Sequence, residues 1–319
     1  MDLLLGAFIL FTFIMGTISV KMLIGYHQRK GIADVNYARA DSKKIALAGG
    51  IGLVVPLWVS SLLFIHLYGY LFEVLGVAIL VSAFAIIGYI DDRNPKYSKK
   101  ALGWKIRALP LAITSLLFAF FFSFEPIFLW IIPLTLFVAG FTSLVNTFEG
   151  LNGWGIGTGT IILFFISVYL YISWNPLFAF GLILTTIALA LLWFNKFPAK
   201  TLPGDSGTLF IGSSIVGLTL IANDLLLILL VLLFFIPALI DFFILKMISN
   251  SKNMSQSNGK PYKILKNGKL TLPKGKVTMD FAKLLMKIFG PLYEWQVVLL
   301  IWGIVIINCT FWLSVILLF

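Results

Sequence analysis

Apolar runs long enough to cross a lipid bilayer recur along the whole chain, and no other feature limits its fold as tightly. A spanning helix needs about 20 predominantly apolar residues. The runs predict membrane helices at approximately 3 to 25, 46 to 67, 74 to 90, 105 to 123, 127 to 145, 155 to 173, 177 to 194, 207 to 222, 225 to 246 and 295 to 318. Little is left over for a separate soluble domain: 60% of the 319 residues are hydrophobic and 12% are charged, where an ordinary soluble domain has about 25% charged residues. The expected fold is an all-α, polytopic membrane bundle of about ten transmembrane helices, one integral-membrane domain over residues 1–319. Unbroken rather than alternating apolar runs exclude a β-barrel, and a lone cysteine, Cys309, excludes a disulfide scaffold. Residues 3 to 20 have neither the basic leader nor the small-residue cleavage site of a signal peptide, so a retained first helix is expected.

Threading the chain through these spans puts its connections alternately on two sides. All 24 Lys and Arg residues then fall on one side. They lie at Lys21 near the end of the first span and around 26 to 45, 91 to 107, 195 to 206 and 246 to 294, whereas the opposite connections hold Glu73, Glu125, Asn175-Pro176 and Asn223-Asp224. The positive-inside rule makes the basic side cytoplasmic and puts both termini outside. A net charge of +11 gathered on one membrane face suits anionic headgroups or phosphorylated substrates, so no nucleic-acid partner is expected. The polar stretch Ser249 to Lys287 is the one long connection; Asn267-Gly268 predicts a hairpin turn within Tyr262 to Thr271. Val277 to Phe289 has the pattern of an amphipathic helix lying on the membrane surface.

Ionisable and amide side chains at the ends of membrane helices are expensive to keep there, which makes each one a functional candidate. Asp91-Asp92 closes the third span, Asn146 to Gly153 follows the fifth with Glu149 and Asn152, Asn195 to Ser206 joins the seventh to the eighth and contains Asp205, and Asp241 lies in the ninth. Singly, each has a plain structural explanation, a solvated ion pair or a turn. Together they open on the face that carries the lysines. Carboxylates with amide oxygens suit a hard cation such as Mg²⁺, and surrounding Lys and Arg suit phosphate oxygens. His66 and Cys309 lie away from that face, and His27 reads as an interfacial side chain. A transporter with Asp241 on a cation path is the rival class, since intramembrane acids also mark such paths; a lipid-scaffolding protein is a second.

With those motifs in view, the chain resembles the polyprenyl-phosphate N-acetylhexosamine-1-phosphate transferases (glycosyltransferase family 4). The resemblance rests on Ala48-Gly-Gly50, Asp91-Asp92, Lys105-Ile-Arg-Ala108, Asn146 to Gly153 and Asn195 to Ser206, in order and at the family's approximate spacing. The segments Pro261 to Leu270 and Leu284 to Glu294 are most similar to the branch that transfers N-acetylglucosamine 1-phosphate from UDP-GlcNAc to dolichyl phosphate. The resemblance implies a ten-helix homodimer, set in the cell membrane or the endoplasmic reticulum membrane, with a cytoplasmic active-site cleft. It would take a UDP-sugar and a polyprenyl phosphate as substrates and release UMP.

Residue by residue, the resemblance assigns metal binding, Mg²⁺ or Mn²⁺ in its place, to Asp205 and Asn146. It gives catalytic roles to Asp91, Asp92 and Asp205, phosphate contacts to Lys43 and Arg107, and positions near the nucleotide to Asn195, Glu149, Gly150 and Asn152. The chain departs from many relatives in carrying Glu149-Gly-Leu-Asn-Gly153 for Asp-Gly-x-Asp-Gly, Arg107 for Lys, and Leu202 for an aromatic that stacks on uracil. Its last basic loop has no His or Arg cluster, leaving Lys260 and Lys263 as the substitutes near the sugar and diphosphate.

Overall fold

The computed structural model describes residues 3–36, 43–93, 104–249, 261–273, 275 and 277–318; the side chains of 104–107 lie outside that description. The helices are α1 Leu3–Lys30, α2 Val54–Tyr68 with a 3₁₀ lead-in Gly49–Leu53, α3 Leu71–Arg93, α4 Trp104–Phe121 and α5 Ile127–Thr147. They continue as α6 Trp154–Ile172, α7 Phe178–Asn195, α8 Gly204–Ile221, α9 Leu225–Phe234, α10 Ile236–Lys246, α11 Phe281–Phe289 and α12 Glu294–Leu318. Among the described residues, eight helices are long and apolar enough to span a bilayer, the bent pair α9–α10 makes up to nine, and Ala108–Phe121 is a shorter apolar helix. Counted together these are the ten expected segments, and the protein is an all-α polytopic membrane protein.

The bundle is organised around α8. Of its apolar window, 89% is buried, against 22% for α12 and 28% for α1, and α3, α5 and α6 pack on it. Small residues make this possible, as they do wherever membrane helices must approach closely. A methyl group on Gly212 would lie 2.7 Å from the Thr142 carbonyl oxygen of α5, and one on Gly217 would lie 3.3 Å from Val77 and Leu80 of α3.

The ninth expected span, 225 to 246, is made of two segments bent by 50°. Pro237 has no N–H to offer the carbonyl one turn back, so the ladder opens there. Asn308 of α12 fills the gap, its Nδ2 donating to the carbonyls of Leu233 at 3.0 Å and Phe234 at 3.1 Å. Such re-pairing is what allows a break within a membrane. Beyond it, Ile240–Lys246 winds as a π-helix.

Two short hairpins dress the basic end. The first, β1 Ala33–Val35 with β2 Lys44–Ala46, pairs Asp34 opposite Ile45. The second, β3 Lys263–Ile264 with β4 Leu270–Thr271, turns at Gly268 with φ of +81°, as the Asn-Gly signal predicts. At the opposite end, Asp224 caps α9 by accepting from the Leu226 and Leu227 N–H groups and from the Tyr169 hydroxyl at 2.7 Å.

Candidate active site

The N-terminus of α8 is the fixed point of the site. Its first turn carries Asp205, where a carboxylate is favoured by the helix dipole. Asp92, at the end of α3 and only 6% exposed, spends both carboxylate oxygens there: Oδ1 accepts from the Asp205 N–H at 2.8 Å and Oδ2 from the Ser206 N–H at 3.0 Å. Two otherwise orphaned helix donors are thereby satisfied. Gly204 takes φ of +67° and its Cβ position is filled by the Asp92 carboxylate, so a glycine is required on two counts. Gly88, one turn before Asp91-Asp92, lies against the Asp205 backbone, 2.6 Å from where a methyl would reach.

The 46–50 strand and turn lock the other side of the same loop. Leu202 N–H donates to the Ala46 carbonyl at 2.8 Å, Gly49 N–H to the Leu202 carbonyl at 3.0 Å, and the Thr201 hydroxyl to Ala46 at 2.9 Å. Gly50 meets Gly207 of α8 so closely that an added methyl would lie 2.1 Å from its Cα. The Gly-Gly pair therefore has a packing role that its sequence context alone leaves open.

Asn146, at the end of α5, joins α8 one turn below Asp205: its Oδ1 accepts from the Thr208 hydroxyl at 2.9 Å, and that hydroxyl also lies 3.3 Å from the Asp205 carbonyl. Asn195 is buried and used at both ends, its Oδ1 accepting from the Gly153 N–H at 2.9 Å and its Nδ2 donating to the Thr201 carbonyl at 3.0 Å. It ties the α5–α6 loop to the α7–α8 loop. Asn152 is also buried, with its Nδ2 donating to Asn36 Oδ1 at 3.2 Å and to Glu294 Oε1 at 2.5 Å.

These loops surround a cavity of about 330 Å³ at the basic end of the bundle. It is lined by Asp34, Val35, Asn36, Leu47, Glu149, Gly150, Asn152, Leu202, Pro203, Gly204, Asp205, Pro261 and Tyr262. Of the expected site residues, Glu149, Gly150, Asn152 and Asp205 line it. Asp92, Asn146 and Asn195 support its walls, and Asp91 is buried beside Asp92 at the end of α3. Lys43 is described and exposed at the start of the β2 segment, and Lys263 is exposed on β3; neither lines the cavity. Lys260 and the side chain of Arg107 lie outside the described residues.

Tyr262, between Lys260 and Lys263 in the sequence, is a lining residue that the sequence reading did not single out. It is 3% exposed, with its hydroxyl 3.5 Å from Asp280 and the Lys283 ammonium 5.0 Å from its ring centre. Burial, reinforced by the nearby Asp280 carboxylate, pushes the Tyr262 phenol well above its ordinary range. Asp280 caps α11 by accepting from the Lys283 N–H at 2.8 Å, and pairs with the Lys283 ammonium. Asp241 accepts from the Phe281 N–H at 2.8 Å and pairs with Lys246 at 2.6 Å, whose ammonium also reaches the Thr147 carbonyl at 2.5 Å. Asp241 thus anchors α11 to α10 and to the end of α5.

His27 departs from the interfacial reading. It is fully buried, with Nδ1 2.7 Å from the Leu47 carbonyl and Nε2 3.3 Å from the Tyr89 hydroxyl, and so clips the end of α1 to the segment after β2. Its sequence neighbours, Tyr26 and Gln28, give no sign of that partner.

Among the described residues no group of three or more His, Cys, Asp and Glu side chains is arranged to hold a metal by itself. The lining does fit a Mg²⁺ shared with a substrate. Mg²⁺ is commonly held by one or two protein oxygens and completed by phosphates and water, and Asp205 of the lining offers such an oxygen, with Asn146 tied to the same helix through Thr208. Asp34, Glu149 and Asp205 bring three carboxylates to a cavity whose described lining includes no Lys or Arg, an arrangement that attracts cations and repels anions.

Comparison with known proteins bears on what this arrangement serves. A family model described as glycosyl transferase family 4 matches residues 74–223. A Saccharolobus solfataricus protein provisionally named as a UDP-N-acetylglucosamine–dolichyl-phosphate N-acetylglucosaminephosphotransferase is 30% identical over 311 residues, 92% of this chain and 91% of its own length. A Sulfolobus acidocaldarius protein with the same provisional name is 30% identical over 312 residues, with equal coverage. The phospho-N-acetylmuramoyl-pentapeptide-transferase of Caldanaerobacter subterraneus is 30% identical over 193 residues, 55% of this chain. The stitched helix ends lie within the matched region, and similarity extends over nearly the full length of the first two relatives. The chain is therefore an integral-membrane member of glycosyl transferase family 4.

Proposed function

We propose that the protein transfers N-acetylglucosamine 1-phosphate from UDP-GlcNAc to a polyprenyl phosphate, of the dolichyl type, releasing UMP on the cytoplasmic side as the first membrane step of lipid-linked glycan synthesis. The observation that carries the reading is the acidic cavity at the basic end, built on an α8 N-terminus that Asp92 holds rigidly. A polyprenyl chain stays in the bilayer, so its phosphate meets a soluble nucleotide sugar at headgroup level, where these helix ends lie. The names of the two archaeal relatives support the donor and acceptor.

An oxygen of the lipid phosphate attacks the sugar-bearing phosphorus of the donor. The bond from that phosphorus to the bridging oxygen breaks, and the electron pair leaves with UMP. At neutral pH a phosphate monoester is largely dianionic, its second pKa being near 6, so holding two anions in line matters more than removing a proton. Asp205 and Asn146 would hold a Mg²⁺ or Mn²⁺, which when bound neutralises charge on the diphosphate. Asp92 keeps Asp205 in place, Asp91 beside it takes the direct catalytic role that the family resemblance gives the pair, and Lys43 and Arg107 offset the lipid phosphate. Glu149, Gly150 and Asn152 border the nucleotide sugar.

Purified protein, UDP-GlcNAc, a polyprenyl phosphate and Mg²⁺ should release UMP only when the lipid and metal are both present. UMP release without lipid, or none with any UDP-sugar, would defeat the reading. Faster turnover with another UDP-N-acetylhexosamine would keep the transferase and change its donor; similarity to the pentapeptide-transferase gives that second reading its footing.

A further inference from the structure

We infer that Glu294, at the first turn of α12, is a positioning residue that fixes the side-chain amide of Asn152 with its oxygen turned to the cavity. The inference rests on the proposed transferase activity and names a determinant of donor binding in that same site. Glu294 Oε1 accepts two hydrogen bonds from one residue, from the Asn152 backbone N–H at 2.9 Å and from Asn152 Nδ2 at 2.5 Å. The second Nδ2 hydrogen goes to Asn36 Oδ1 at 3.2 Å. Both amide hydrogens are then spent, and the Asn152 oxygen, for which no protein donor is described, belongs to a residue of the cavity wall.

An amide can be turned over to exchange its oxygen and nitrogen, and Asn36 could follow by turning its own. A carboxylate cannot. Glu294 is therefore the one member of this trio that dictates which way the other two point. The arrangement is not explained by stability. Glu294 is 4% exposed, its Oε2 is buried without a hydrogen-bond partner, and among the described residues no cation pairs with it. A buried carboxylate with one oxygen unmatched is costly, and a fold gains nothing from it alone. What it secures is a single acceptor oxygen on a wall where the amide, unfixed, could turn and present a donor instead. The ligand group that this oxygen suits is an N–H or O–H of the nucleotide sugar, and the diphosphate has neither.

The test is steady-state kinetics of UMP release, with calorimetric titration of UDP-GlcNAc onto the same preparations. Glu294→Leu removes the acceptor and should raise the KM for UDP-GlcNAc, and its Kd, by about tenfold or more, the usual scale for supporting residues around a site, with kcat within about twofold. Glu294→Gln keeps an acceptor oxygen for Asn152 and should recover most of the loss. Asn152→Asp sets two carboxylates against each other and should weaken donor binding at least as much. Unchanged KM and Kd in Glu294→Leu, an equal loss in Glu294→Gln, or wild-type donor binding in Asn152→Asp would overturn the inference. Absence of turnover in the wild-type protein would instead defeat the proposed reaction, while the titrations would still decide the role of Glu294.

Discussion

Removing the Asp92 carboxylate separates two accounts of the aspartate pair. Asp92 accepts the Asp205 and Ser206 N–H groups at 2.8 Å and 3.0 Å while 6% exposed. Hydrogen bonds to a charged group are worth about 1.5–3 kcal/mol each, and caps alone about 0.5–2 kcal/mol. Asp92→Ala should therefore destabilise by about 3–5 kcal/mol. Asp92→Asn keeps one acceptor but turns an NH₂ toward an N–H, at about half that cost. In detergent, thermal unfolding of Asp92→Ala should fall by roughly 5–10 °C, taking a few degrees per kcal/mol. Because the bonded donors include the amide of Asp205 itself, UMP release should drop by about a hundredfold through misplacement. Unfolding monitored by intrinsic fluorescence and UMP release should be measured on the same samples. A wild-type melting temperature together with abolished turnover would refute the capping argument and return Asp92 to direct chemistry.

Close backbone contacts give a second prediction. Gly50→Ala places a methyl 2.1 Å from the Gly207 Cα, so the Gly49–Leu53 turn must withdraw from α8 and transfer activity should fall by about tenfold or more; activity equal to wild type would show that the contact is not needed. At the opposite end of the bundle, Asp224→Ala removes the α9 cap and should lower stability by about 1 kcal/mol with an unchanged KM, as read from denaturation midpoints and UMP kinetics. Tyr262 is buried and its phenol is raised well above the ordinary range. The folded protein therefore holds that proton after the unfolded chain has lost it, and stability should decline as pH climbs past about 10. Tyr262→Phe should flatten that decline in melting temperatures taken between pH 9 and 11; an identical slope would contradict the assignment.

The spans were legible because each is an apolar run of bilayer length, and the hairpin at β3–β4 because Asn267-Gly268 is a strong local signal. The gathering of acidic and amide groups at one end followed from the charge segregation. What stayed hidden is pairing across distance. Asp92 and Asp205 are 113 residues apart, and Asn152 and Glu294 are 142 apart; no local pattern distinguishes a helix-capping carboxylate from a catalytic one. His27 read as interfacial because its partners, Leu47 and Tyr89, lie on other segments. The three-residue strands β1 and β2 are too short for a periodicity, so Asp34 and Asn36 went unnoticed. Pro237 did carry a signal for the bend at Phe235, yet the bend angle depends on Asn308 in α12 supplying the replacement hydrogen bonds.

The central claim is that oxygen donors from α5 and α8 share a divalent ion with the donor diphosphate. Crystals grown with Mn²⁺ and UDP-GlcNAc can locate that ion by its anomalous scattering. The account requires a peak about 2.0–2.2 Å from an Asp205 carboxylate oxygen, with Asn146 Oδ1 alongside, and loss of the peak in Asp205→Ala. An ion bound away from both residues, or one that persists at the same position in Asp205→Ala, would contradict it.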